Sequence, residues 1–240
     1  MKVIILTNKN VIIEYILKEF SERKIKIDAI IVEEQPVKTM TEKIKKYIPV
    51  FIINLSRKLR GYGLVRDYEY IKTYFKFSEN VSVVSNFNSQ ESASILQELK
   101  PDLVILGGSR ILKQQIISIP SIGILNAHPG LLPKYRGVNV MLWSIYHNDP
   151  IGVTVHFIDK GIDTGRICTQ QQIEIQKNDT LESLRVKANE VSAKLLATVT
   201  TAIISNNLGP TMENALDKGK QYYQMDKKRV EEVNQKLKKL

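Results

Sequence analysis

KVIILTNKNVIIEYILKEFSERKIKIDAIIV, residues 2–32, is the stretch whose reading decides the fold. Two short runs rich in β-branched residues, KVIILT (2–7) and IDAIIV (27–32), are apolar without alternation. That is the mark of strands buried on both faces. Between them, residues 10–23 carry Val11, Ile12, Tyr15, Ile16 and Phe20 at helical spacing. Strand, amphipathic helix, strand predicts a β-α-β unit and so an open, mostly parallel sheet. Further along, VSVV (81–84), PDLVILGG (101–108) and IGILNAH (122–128) repeat the strand signal. SQESASILQELK (89–100) reads as a helix from Ile95, Leu96 and Leu99, with Ser89 three residues before Ser92 at its start.

The rhythm then changes. GVTVHFI (152–158) and GRICTQQQIEI (165–175) alternate as half-buried strands do, and the turn DKGIDT (159–164) joins them. This predicts a late antiparallel hairpin. The fold class is therefore α/β: a Rossmann-like open twisted mixed sheet, mostly parallel, flanked by helices. The clearest helix spans 179–204, with Asp179 and Glu182 as a capping-box-like start and Leu184, Ala188, Val191, Leu195 and Val199 as its buried stripe. Residues 1–206 read as one domain, with 36–78 as a basic, aromatic-containing insertion. Residues 207–240 read as a tail, a hairpin or helix element suited to dimerisation.

Composition bounds the function. The chain has 240 residues, 43% of them hydrophobic, enough for one sizeable core. No apolar run approaches the ~20 residues that span a bilayer. MKVIILTNKN starts as a signal peptide does, but its apolar core is too short and it reads better as a first strand. A cytoplasmic protein without a membrane partner is expected. A single cysteine, Cys168, excludes a disulfide within the chain and a Cys-based zinc site. His128, His147 and His156 show no metal-binding spacing, so no metal is expected. The formal charge of +10 favours anionic partners, although a solvated lysine-rich surface has the same signature.

NAHPGLLPKYRG (126–137) follows a good strand with residues that are awkward to pack. Pro129 restricts His128 to an extended conformation. Asn126, two residues earlier, then faces the same side. An amide donor beside an imidazole suits oxyanion stabilisation with proton transfer. The 159–164 turn supplies Asp159 and Asp163, either of which can orient a histidine. Spacing does not choose between them, and aspartate is common in turns for its own reasons. Trp143, alone on an apolar stripe, reads first as core packing.

NAHPGLLPKYRG followed by GVTVHFIDKGIDTGRI (152–167) resembles the signature of the folate-dependent formyltransferases. The resemblance spans about residues 80 to 205. It implies a catalytic set of Asn126, His128 and Asp163, the last because it precedes Thr164 and Gly165 at the end of the turn. It implies folate contacts at Arg110, Ile111 and Leu112 and at Ile158, Asp159 and Gly161. The reaction implied is formyl transfer from N10-formyltetrahydrofolate to a neutral primary amine, without a metal. Asn126 would donate to the oxyanion, a protonated His128 would stabilise it, and Asp163 would favour the charged ring.

Within that family, the loop TNKNVIIEY lacks the glycines of a close-approach phosphate loop, which counts against glycinamide ribonucleotide as acceptor. About 35 residues follow the long helix, too few for an independent RNA-binding domain. The YRGVNVMLWSIYHNDPIGVT run (135–154), with Trp143, resembles the sugar-nucleotide N-formyltransferases. The expected acceptor is therefore an amino-deoxy sugar linked to dTDP, GDP or UDP, as in lipopolysaccharide O-antigen precursors. Thr154, Tyr135, Arg136, Trp143 and Tyr222 are the candidate substrate contacts. Tyr135 and Arg136 stay open between substrate contact and loop support, and Tyr222 and Tyr223 between base stacking and packing. A homodimer is expected, and a nucleic-acid partner is not. The alternatives are a glycinamide ribonucleotide formyltransferase and, in another class, a non-catalytic folate- or nucleic-acid-binding module.

Overall fold

The computed structural model describes residues 1–34 and 72–239. Most of the segment read as a basic insertion, 35–71, lies outside the described residues. The chain divides into two compact units, residues 1–13 with 24–124, and residues 14–23 with 125–240.

In the first unit, β1 (Val3–Thr7), β2 (Ala29–Glu33), β3 (Val81–Val84) and β4 (Leu103–Gly107) pair in the order β3-β2-β1-β4, all parallel. Every residue of β1, β2 and β4 is buried, which is why their sequences run apolar without alternation. Helix α1 (Ile12–Glu22) follows β1. Its buried residues are Ile13, Ile16, Leu17 and Phe20, whereas Val11 is exposed. The expected stripe began one step early because the helix starts after Val11. Helix α2 (Gln90–Leu99) has Ser89 as N-cap, accepting from the Ser92 N–H at 3.2 Å. A short helix, α3 (Gln114–Ile117), precedes the second unit.

In the second unit, β5 (Gly123–His128), β7 (Ile151–Phe157) and β8 (Ile167–Ile173) pair antiparallel in the order β5-β7-β8. The late hairpin lies where the alternation predicts it, but β7 is buried at every residue except Phe157 and not half-buried as expected; the α/β class with a mixed strand arrangement holds. Two three-residue strands that the sequence did not announce, β6 (Tyr135–Gly137) and β9 (Lys220–Tyr222), pair parallel. Helix α4 (Val140–Tyr146) follows β6 and is packed by α6 (Lys227–Leu237) from the chain's end. The tail is thus bound into its unit.

The long helix α5 (Leu181–Ile204) is capped differently from the expectation. Thr180 is the N-cap, exchanging hydrogen bonds with Ser183 in a capping box. Asp179 instead accepts from Ser183 Oγ at 2.7 Å, Lys187 Nζ at 2.6 Å and the Gln176 N–H at 2.7 Å. Its stripe also shifts. Leu184, Ala188 and Val199 are buried as expected, but the middle is filled by Ser192, Ala193, Leu196 and Ala197 rather than Val191 and Leu195. A stripe of period 3.6 drifts over 24 residues. Thr180→Ala removes the cap and is expected to cost about 1 kcal/mol. Chemical denaturation should show a lower midpoint with an unchanged slope.

Candidate active site

The site is built on strand register. In the β5–β7 pair, Asn126 lies opposite His156 and His128 opposite Thr154. Residues two apart on a strand, and those directly across an antiparallel pair, share a face. These four polar side chains are therefore gathered on one face. His128, Thr154 and His156 are buried, and Asn126 is half-buried.

His156 Nδ1 lies 2.9 Å from the Phe157 carbonyl oxygen. An acceptor there places the proton on Nδ1 and leaves Nε2 of the neutral ring as an acceptor. Asn126 Nδ2, at 3.2 Å, donates to it. One amide hydrogen of Asn126 is thereby committed, and the second remains to serve a ligand. His156 was weighed in the sequence only as a metal ligand. Its signal was there, two residues beyond Thr154 on an alternating strand.

Asp163 comes from the turn between β7 and β8. Its Oδ2 lies 3.4 Å from His128 Nδ1 and its Oδ1 3.6 Å from His156 Nε2. The Gly137 N–H donates to Oδ2 at 2.8 Å. Asp159, the other aspartate of the turn, has a local role. Its Oδ1 accepts from the Gly161 N–H and from Thr164 Oγ1, closing the turn itself. The two ring nitrogens of His128 both face acceptors, Asp163 Oδ2 and the Tyr135 carbonyl at 2.7 Å.

Burial pushes the His128 imidazole below its ordinary value. The Asp163 charge and the Tyr135 carbonyl act in the opposite sense without overcoming it. The charged ring that Asp163 would favour is thus disfavoured at rest. For Asp163, burial is the largest influence and acts upward. It is outweighed by the His156 contact, the His128 ring and the Gly137 N–H, which hold the carboxyl below the usual range. A buried ionised carboxylate is therefore set beside a neutral imidazole whose vacant nitrogen faces it.

The loop 129–137 is pinned over the strands. Thr154 Oγ1 donates to the Gly130 carbonyl at 2.6 Å and accepts from the Leu132 N–H at 3.1 Å and Gln170 Nε2 at 2.9 Å. Gln170 also reaches the Leu132 carbonyl at 2.7 Å. With its hydroxyl engaged and no exposure, Thr154 supports the loop. Tyr135 is 1% exposed, stacks on Tyr222 at 5.0 Å and donates its hydroxyl to Asp149. Burial, then that hydrogen bond, raises the Tyr135 phenol. Trp143 packs on Tyr222 at 5.3 Å and donates its indole N–H to the Tyr223 carbonyl at 2.9 Å. Tyr135, Trp143 and Tyr222 thus form a cluster that packs the loop against β9. Arg136 differs. Its Nη2 reaches the Gly219 carbonyl at 3.4 Å, and its Nε is buried without a partner.

Of the expected folate contacts, Arg110, Ile111 and Leu112 lie in the first unit after β4. Arg110 pairs with buried Glu33, its Nε at 2.7 Å from Oε1. Ile111 is exposed, and its carbonyl accepts from Asn88 Nδ2 at 2.9 Å. Leu112 is buried. Ile158, half-buried, and exposed Asp159 and Gly161 lie in the second unit, at the β7–β8 turn. Among the described residues, no group of three or more His, Cys, Asp and Glu side chains is arranged to hold a metal ion. No described helix is long and apolar enough to cross a membrane.

A methionyl-tRNA formyltransferase of Methylacidiphilum infernorum is 42% identical over 113 residues, 46% of this chain and 35% of that protein. The chain spans half or less of the length of such curated relatives. Among solved structures, phosphoribosylglycinamide formyltransferase from Bacillus halodurans superposes with a TM-score of 0.62 at 22% identity, covering 85% of this chain and 96% of that one. The formyltransferase PseJ from Anoxybacillus kamchatkensis, in complex with UDP-4,6-dideoxy-4-formamido-L-AltNAc and tetrahydrofolate, gives 0.54 at 23%, covering 71% and 93%. At these identities the structures share the fold. The profile of the formyl transferase family matches residues 1–200, most of the chain, and the protein belongs to that family.

Proposed function

We propose that the protein transfers a formyl group from N10-formyltetrahydrofolate to the primary amine of a nucleoside-diphosphate-linked amino sugar. The observation that carries the formyl-transfer reading is Asp163, held against His128 and His156 on the face that presents the Asn126 amide. This donor set suits a carbonyl that gains negative charge and an amine that loses a proton. Bound folate supplies the formyl carbon. The folate contacts proposed by resemblance are Arg110, Ile111, Leu112, Ile158, Asp159 and Gly161.

Asn126 keeps one amide hydrogen on His156 and turns the other to the formyl oxygen as charge develops there. The amine forms its bond to the formyl carbon and gives up a proton to the Asp163–His128 pair. That proton finishes on His128 Nδ1, between the ring and Oδ2, while Nε2–H stays on the Tyr135 carbonyl. The charge that burial disfavours at rest is then balanced by Asp163. The pair returns the proton to the folate nitrogen as its bond to carbon breaks, so protons and electron pairs balance.

The sugar-nucleotide acceptor is supported by the 135–154 motif and by the ligand named for the Anoxybacillus structure. Arg136, with its unpartnered Nε, is the side chain proposed to meet the diphosphate. A second reading, methionyl-tRNA as acceptor, is favoured by the names of the curated relatives. An assay of formyl transfer to amino-sugar nucleotides bearing dTDP, GDP or UDP, to glycinamide ribonucleotide and to methionyl-tRNA separates these. Turnover is expected with one amino-sugar nucleotide, and turnover of methionyl-tRNA alone sinks the preferred acceptor.

The pH profile follows from the site. The active form has neutral His128 and ionised Asp163. kcat/KM is therefore full at neutral pH and falls as pH drops through the depressed His128 value, below the ordinary imidazole value of about 6.5. In Asp163→Asn the rate is expected to fall by roughly 10²-fold or more. The acid limb should also move to still lower pH, because the charge that opposes burial is gone. An acid limb unchanged by Asp163→Asn would show that the two groups are uncoupled.

A further inference from the structure

We propose that Asn214 is a positioning residue for Asp163, and that the segment 212–222 is a working part of the active site. The inference rests on the reading of Asp163 as catalytic. Asn214 belongs to none of the motifs above. It is 6% exposed, and its Nδ2 donates to the Asp163 carbonyl at 2.9 Å and to the Gly165 carbonyl at 3.2 Å. Two carbonyls converge on one nitrogen, so the amide has a single sensible orientation. In that orientation its Oδ1 is buried without a hydrogen-bond partner among the described residues, which costs stability. A side chain held at that cost is explained by what its donor end secures.

The turn needs securing. Asp163 has φ of 51°, in the left-handed region that side chains other than glycine rarely adopt. A Cβ on Gly165 would lie 1.9 Å from the Phe157 carbonyl oxygen, so the turn is pressed flush against the end of β7. The Phe157 N–H donates to the Arg166 carbonyl at 2.9 Å and closes that side. Asn214 closes the other. It is delivered by a bridge in which Met212 and Ile167 exchange both backbone hydrogen bonds, at 2.8 and 2.9 Å. With both carbonyls fixed, the backbone of Asp163 is fixed, and with it the direction of the carboxylate.

The same segment holds the second support of that carboxylate. Gly137, whose N–H reaches Oδ2, has φ of 100°, and a Cβ there would meet the Tyr222 carbonyl oxygen at 2.1 Å. The Val138 N–H donates to that oxygen at 3.0 Å. The carboxylate is thus set from its backbone by Asn214 and from its oxygen by a glycine that β9 holds in place.

The test uses the full chain, with Asn214→Ala, the similarly sized Asn214→Asp, Asp163→Asn and the double variant Asn214→Ala/Asp163→Asn. Two readouts are taken: turnover with the acceptor found in the panel, and titration of the three histidine rings by NMR. Both Asn214 variants are expected to lose about 10- to 100-fold in kcat, with KM within a few-fold. The His128 titration should move downward in Asn214→Ala, in the same direction as in Asp163→Asn, and the double variant should add nothing. The His147 titration should stay where it is. A His128 titration unchanged by Asn214→Ala but shifted by Asp163→Asn overturns the inference. So does loss of the near-UV circular dichroism of the folded chain in both Asn214 variants, which would assign Asn214 to folding at large. Should Asp163→Asn leave kcat unchanged, the catalytic reading fails, while the histidine titrations still report whether Asn214 positions the carboxylate.

Discussion

A buried carboxylate kept ionised is the constraint on which the second unit turns. Asp163 is taken largely out of water, which penalises its charge, and the Gly137 N–H, together with any proton the facing rings carry toward it, restores it. Each restoring contact comes from a different stretch: His128 at the end of β5, His156 on β7, and Gly137 on β6. These stretches must all be in place before the charge is tolerated. The site is therefore a product of the whole unit. A charge that requires three separate elements also discriminates against packings in which any one of them has slipped.

The architecture follows from that requirement. A one-residue slip between β5 and β7 would turn Asn126 and His128 to the opposite face from Thr154 and His156. Register is protected by the loop pinned through Thr154 and Gln170. The hydroxyl of Thr154 thereby decides where the chemistry can occur. The aromatic stack of Tyr135 on Tyr222 carries the same logic one layer outward, fastening β6 to β9 and so the Gly137 N–H to its carboxylate.

Much of this was legible in the sequence, and the reasons are physical. Strands β1, β2 and β4 declare themselves because burial on both faces leaves runs of Val, Ile and Leu. The β7–β8 hairpin declares itself through its alternation. Asn126 and His128 are legible because a proline fixes the backbone they stand on. His156 was overlooked because a histidine on an alternating strand gains meaning only from its cross-strand neighbour, and pairing is not written locally. Strands β6 and β9 are three residues each and held by a long-range stack, so no period exists to read. Asn214 is hidden for the same reason: its partners lie 51 and 49 positions away. Thr180 took the cap that Asp179 was expected to hold because both are good cap residues one position apart, and Lys187 claims the carboxylate.

The division between what reads the reaction and what reads the acceptor also follows. In the proposed reaction Asn126, His128 and Asp163 meet a carbonyl oxygen and a proton on nitrogen, features that every formyl transfer to an amine shares. They carry no information about a sugar, a nucleotide or an RNA. Acceptor choice must therefore lie in residues around them that are not committed to holding them. Thr154, Tyr135, Trp143 and Tyr222 are committed, their polar groups or ring faces already engaged. Arg136, next to Gly137 in the chain, has a donor without a hydrogen-bond partner among the described residues, and it is the side chain that the proposed function sets toward a charged acceptor.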